Sequence, residues 1–162
     1  MAQGTMALFN ELAESVGDGR IDFDTHDFYI ALVSYQVGVT AEIAEDDPVP
    51  TWGTGGTTDI SAGEVAAGGG YTAGGQILAS VTWGQAAGAG KLDAIDAVWT
   101  SVGVDDPANV KTAVIYDNDA TNKDCVCFID LTSNGTTAVS LLAGNITVAY
   151  GAAGILTQTV VN

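Results

Sequence analysis

Phe28-Tyr29-Ile30-Ala31-Leu32-Val33-Ser34-Tyr35-Gln36-Val37 is the stretch on which the fold turns. Phe28, Ile30 and Leu32 fall on one side of an extended chain, and Tyr29, Ala31, Val33 and Tyr35 on the other. A strand apolar on both sides must be covered on both sides, so this one is predicted to run through the middle of a layered domain. Upstream, Ile21-Asp22-Phe23-Asp24 alternates strictly, with two apolar residues on one face and two carboxylates on the other. Downstream, strand signals recur at the spacing of an all-β domain: Gln76 to Trp83, Ile95 to Val102, Val110 to Tyr116, Cys125 to Leu131, Ile146 to Tyr150 and Ile155 to Val161. Between them lie Gly88-Ala89-Gly90, Asp105-Asp106-Pro107, Asp117-Asn118-Asp119, Asn134-Gly135 and Gly151 to Gly154, all turn formers. The pattern predicts an antiparallel β-sandwich or jelly-roll-like barrel of about eight strands.

The first segment breaks this rhythm. Leu8, Phe9, Leu12 and Val16 form one apolar stripe at helical spacing, with Thr5 as a possible N-cap and Gly17 as a stop. The spacing predicts a short helix over Thr5–Val16, within an N-terminal arm of residues 1–19 that precedes a β-domain of residues 20–162. About three turns of helix are marginal alone, so the stripe must bury against its own domain or against another protein. Leu8, Phe9, Leu12 and Val16 are therefore the candidate contact with a partner or a sister subunit.

Composition narrows the function. The chain has 162 residues, 21 of them glycine, and four Lys+Arg against twenty Asp+Glu give a formal charge of -16. Such a surface repels phosphate and anionic lipid, so neither a nucleic acid nor a membrane surface is an expected partner. A hydrophobic fraction of 47% is too high for an acidic disordered tail. No apolar run approaches the roughly 18 residues of a spanning helix, and Met1 to Asn10 lacks the basic start and apolar core of a secretory signal.

Chemistry-bearing motifs are weak. The lone His26 sits between carboxylates in Asp24-Thr25-His26-Asp27, without any G-x-S-x-G nucleophile, and reads as a turn residue. Cys125-x-Cys127 has no second pair to complete a zinc site; alternation places Cys125, Cys127 and Ile129 on one face and Val126, Phe128 and Asp130 on the other. Asp117-x-Asp119-x-Thr121 opens like a calcium loop, but Asn122 and Phe128 stand where that loop needs Gly and Glu. Gly53-Thr54-Gly55-Gly56 and Gly68-Gly69-Gly70-Tyr71 lack the Lys-Ser/Thr and helix of a phosphate cradle. No catalytic, cofactor or metal residues are expected. The least regular stretch, Thr40 to Gly70, carries Glu45-Asp46-Asp47 and Trp52, and a loop this long is usually a surface excursion or an interaction site. Asp46, Asp47 and Trp52 are its candidate exposed contacts.

Several segments together resemble a small virion-protein family of tailed bacteriophages. The opening Ile21-Asp22-Phe23-Asp24-Thr25 followed by Phe28 to Val33 is similar to that family's "IDFDT…F…ALV". Tyr71-Thr72-Ala73-Gly74-Gly75, Asp96-Ala97-Val98-Trp99, Ala113 to Asp117, Phe128-Ile129-Asp130 and Gly154-Ile155-Leu156 follow in the family's order. The acidic, Trp-containing loop 45–56 and the CxC strand depart from it. The resemblance spans roughly residues 8 to 158 and implies a non-enzymatic structural protein of the phage head: a capsid decoration, cement or head-fibre protein. It further implies the major capsid protein as partner, homo-oligomers arranged on the shell, synthesis in the host cytoplasm and a final place on the capsid exterior. A tail or head fibre, or a receptor-binding module with Trp52 stacking on glycans, is the alternative. A virion-borne carbohydrate enzyme using two of the many carboxylates ranks third, because abundance makes paired acids uninformative.

Overall fold

The computed structural model describes residues 3–37, 49–86 and 88–159. Ten strands are present among them: β1 (Met6–Leu8), β2 (Phe28–Val33), β3 (Gln76–Ile77), β4 (Thr82–Ala86), β5 (Ala89–Asp93), β6 (Ala97–Trp99), β7 (Thr112–Asp117), β8 (Cys125–Asp130), β9 (Ile146–Val148) and β10 (Leu156–Thr159). They form three antiparallel sheets, ordered β1-β8-β7-β2-β3, β10-β5-β4 and β6-β9. The fold is all-β and sandwich-like.

The strand β2 sits inside the large sheet, paired along its whole length with β7. Its two apolar faces enter two separate cores, as the alternation requires. Phe28, Ile30 and Leu32 join Ala113, Ile115, Cys127 and Ile129 against Leu92, Trp99, Ile146 and Val148 of the two smaller sheets. Ala31 and Val33 join Val114, Tyr116, Cys125 and Phe128 on the opposite face, beneath Phe9, Val37, Trp52 and Ile60. Hydrophobic burial on both faces explains why β2, β7 and β8 are almost free of exposed side chains.

The cysteine face is a correction. Tyr116 pairs with Cys125 and Ile115 with Cys127, so Val126 is the extra residue of a β-bulge. The bulge turns Cys125 into the Trp52 core while Val126 and Cys127 both enter the other. The predicted Gln76–Trp83 strand is also corrected. It is cut into β3 and β4 by Ser80, whose φ is +53°, with Leu78 buried and Ile77 exposed. Ile21 and Phe23 are buried and Asp22 and Asp24 exposed, as their alternation predicts, but a turn rather than a strand carries them. The β4–β5 hairpin, with Gly88 at φ +82°, was not anticipated.

The N-terminus is the largest correction. The predicted Thr5–Val16 helix is a strand followed by one short helix, α1 (Leu12–Gly17), whose N-cap position is Glu11 rather than Thr5. Phe9 N–H donates to Val126 and Asp130 N–H to Thr5, so the chain from Thr5 to Phe9 pairs with β8. A ladder of backbone bonds plus burial of Phe9 outweighs two isolated helical turns, which cannot hold themselves together. The residues assigned to an arm thus supply the edge strand of the large sheet.

Candidate functional site

The predicted stripe does not survive as a surface. Phe9 and Leu12 are buried, and in different cores, while Leu8 and Val16 are exposed on separate elements. They cannot form one docking face. Trp52 is 4% exposed, with its ring stacked on Tyr116 at a centroid distance of 4.9 Å, so it is a core residue rather than an exposed contact. Asp46 and Asp47 lie outside the described residues.

What the structure brings together instead is a set of loops held by carboxylates. Asp22, Asp59, Asp117 and Asp130 each accept the backbone N–H two residues on: Asp24, Ser61, Asp119 and Thr132. This is the Asx-turn, in which a short side chain imitates a backbone turn. Asp59 goes further and takes the N–H of Gly53 and of Gly55, at 2.8 and 2.7 Å. Burial pushes its carboxyl up, yet the bonds from Ser61, Gly55 and Gly53 outweigh burial and hold it below the usual value. The glycine-rich Gly53–Gly56 turn therefore has two of its amides, those of Gly53 and Gly55, occupied by the protein's own anion.

The most elaborate of these staples is Asp106, which is buried. One oxygen accepts Gly70 N–H at 2.5 Å; the other accepts Ser101 Oγ–H and the N–H groups of Val102 and Gly103 at 2.8, 2.8 and 2.7 Å. The N–H of Gly70 is the chief reason its carboxyl lies below the ordinary range. Gly68 to Gly70 close on this loop with no room for side chains: a Cβ on Gly70 would overlap the Thr100 carbonyl oxygen. The pinned loop then points two valines outward. Val102 is 69% and Val104 87% exposed, the two highest values among the large apolar residues described. Beside them lies a shallow cleft of about 570 Å³ lined by Val104, Ala66, Pro107 and Leu142 and flanked by Asp105 and Glu64. A rigid apolar tip next to an open apolar cleft is suited to docking, because little conformational entropy remains to be lost on binding. Sequence reasoning missed it, having assigned Val102 to a strand and Asp106 to a turn.

His26 is part of the same stapling. Its Nδ1 lies 2.6 Å from Oδ2 of Asp117, a fully buried carboxylate that also accepts N–H groups from Asp119 and Ala120. Asp119 in turn accepts Asp27 N–H, so the two turns are tied together. The hydrogen bond to Asp117 raises the His26 pKa above its ordinary 6.5, against the opposing effect of burial, with Asp119 and Asp22 adding to the rise. Burial pushes the Asp117 carboxyl up, so stability from the pair is present below about 6.5 down to the pH at which Asp117 takes up a proton, and is lost as pH rises through the raised His26 value. Comparing wild type with His26→Gln in urea melts, we expect a gap of up to about 1 kcal/mol at mildly acidic pH, since the ring is partly wet. The gap should shrink toward alkaline pH; one that widened instead would contradict the assignment.

Cys125 and Cys127 are free and buried, and burial pushes the Cys127 thiol up to about 12. Among the described residues no group of three or more His, Cys, Asp or Glu side chains is placed to hold a metal. None of the described helices is long and apolar enough to cross a membrane. Compared with known proteins, the chain matches no family model, no curated protein and no solved structure.

Proposed function

We propose that this protein is a non-enzymatic structural component of a tailed-phage virion that decorates and stabilises the assembled capsid from outside, binding the major capsid protein as a homo-oligomer. The observation that supports this reading is the Val102-Gly103-Val104 tip, held by the Asp106 carboxylate and left bare to solvent. A cement protein adds stability by binding the finished lattice and not its unassembled subunits, a mass-action effect that needs a rigid body and a preformed apolar contact. The carboxylates around the cleft suit a partner surface with a basic rim and disfavour packaged DNA. The glycan-stacking alternative loses its aromatic, because Trp52 is in the core.

The test is co-sedimentation with emptied phage heads. Wild-type protein is expected to saturate at a stoichiometry set by the lattice and to raise the heads' resistance to heat. Each valine buried on docking is worth about 1.5–3 kcal/mol, so the Val102→Asp, Val104→Asp double variant should bind at least about a hundredfold more weakly. Wild type that never sediments with heads, or a double variant that binds as well as wild type, would overturn the reading.

A further inference from the structure

Among the described residues, the outer edge of β1 is an open margin of the large sheet. Thr5 and Phe9 turn their backbone groups toward β8, so by alternation Met6 and Leu8 present theirs outward. Proteins usually guard such an edge with a charge, a proline or a bulge. Here Gly4, at φ +80°, and Thr5 both face Asp130 and make a bulge at the start of the strand, but Met6-Ala7-Leu8-Phe9 beyond it carries neither a charge nor a proline.

Across from this edge lie β9 and β10, the margins of the two smaller sheets. Between them run two grooves of about 630 and 390 Å³ that share Gly4, Met6 and Ala149 and so form one trough. Its floor is the core itself, with Met6, Ile129, Leu131, Ile146 and Val148 reached from the side. Among the described residues no charged one lines either groove, in a chain with 24 charged residues among 162. Two copies of a chain carrying a charge of -16 repel one another wherever their acidic surfaces face. The neutral trough is the margin along which they can approach.

We propose that the β1 edge is a self-association surface, at which a second copy adds its own β1 antiparallel across a two-fold axis. The register follows from which residues face outward. With Ala7 on the axis, Met6 pairs with Leu8 of the second copy and Leu8 with its Met6, which satisfies every outward N–H and C=O of the two residues. The half-exposed Leu8 is then covered by the partner's Met6 over the trough. The five-stranded sheet becomes continuous through the pair. This inference concerns the chain's own surface and holds whether or not the capsid reading does.

Sedimentation equilibrium of the full chain reads it directly. A species of twice 16.4 kDa is expected to grow with concentration and with added salt, because salt screens the repulsion between like-charged copies. Leu8→Lys places two like charges at the joint and should weaken association about a hundredfold. Val16→Lys, on an equally exposed residue outside the trough, should leave association unchanged. Amide exchange on wild type guards against a variant that fails to fold: the Met6 and Leu8 N–H groups should be protected at high concentration and exchange freely on dilution. A chain monomeric at every concentration and salt would overturn the proposal, leaving the trough to the strand of a different protein. A dimer that persists in Leu8→Lys with unprotected Met6 and Leu8 amides would overturn it too, by placing the interface elsewhere.

Discussion

Gly75→Ala is expected to destabilise the protein by about 3–5 kcal/mol, a large share of the 5–15 kcal/mol typical of a domain. Two independent costs meet at this residue. Its φ of +78° is a conformation that costs an L side chain about 1 kcal/mol or more. A Cβ there would also overlap the Ile30 carbonyl oxygen and crowd the backbone at Ala31, both in β2. That contact is with rigid backbone, so it is relieved only by moving β3 off β2. The move would break the Leu78 N–H bond to Phe28 and open the core over Leu78. Gly84 supplies the control: it lies in β4 with nothing near a built Cβ and an ordinary φ, so Gly84→Ala should change stability by less than about 0.5 kcal/mol. Equal losses at the two positions in urea melts would refute the close-approach argument.

Arg20→Ala should cost about 3 kcal/mol, because it strands a buried anion. Asp124 is 1% exposed and accepts Arg20 Nε at 3.0 Å and Ser15 Oγ at 2.9 Å. Arg20 also reaches Asp18 at 3.2 Å and Glu14 at 3.6 Å, which ties α1 to the turn after it and to the sheet. Without the guanidinium, Asp124 keeps a single side-chain donor in a site that water barely enters. Lys91, whose pair with Asp93 is 2.6 Å but partly exposed at both ends, is the comparison. Lys91→Ala should lose less than about 1 kcal/mol, because solvent already screens that pair. Denaturant midpoints that ranked the two variants the other way would show that burial does not govern these pairs.

The sheet was legible in the sequence where one strand's pattern is decided by burial alone. Alternation over Phe28–Val33 placed each residue in its observed core, and the two apolar runs Val110–Tyr116 and Cys125–Leu131 became β7 and β8. It failed where a single backbone event resets the faces: the bulge at Val126, and Ser80 at positive φ. Neither leaves a periodic trace. The N-terminal stripe was ambiguous in a different way. Leu8, Phe9, Leu12 and Val16 satisfy helical spacing, but only the location of β8 decides that an edge strand forms first.

The candidate site was largely hidden. Exposure of Val102 and Val104 depends on Asp106, whose acceptors' partners come from residues 70 and 101–103, and a sequence does not show that 70 and 106 meet. One signal was present: Asp followed two residues later by Asp, Ser or Thr marks four of the Asx-turns. With twenty acidic residues it did not stand out. Trp52 reads as a loop aromatic in the sequence because nothing nearby announces its partner, Tyr116, 64 residues away in the chain.

Electron cryomicroscopy of emptied phage heads saturated with the protein is the most direct test of the account. It predicts density repeated at every equivalent lattice position on the outer surface, with the loop bearing Val102 and Val104 against the shell. Bare shells, a few copies confined to one vertex or the tail, or copies that meet the shell through another face would contradict it.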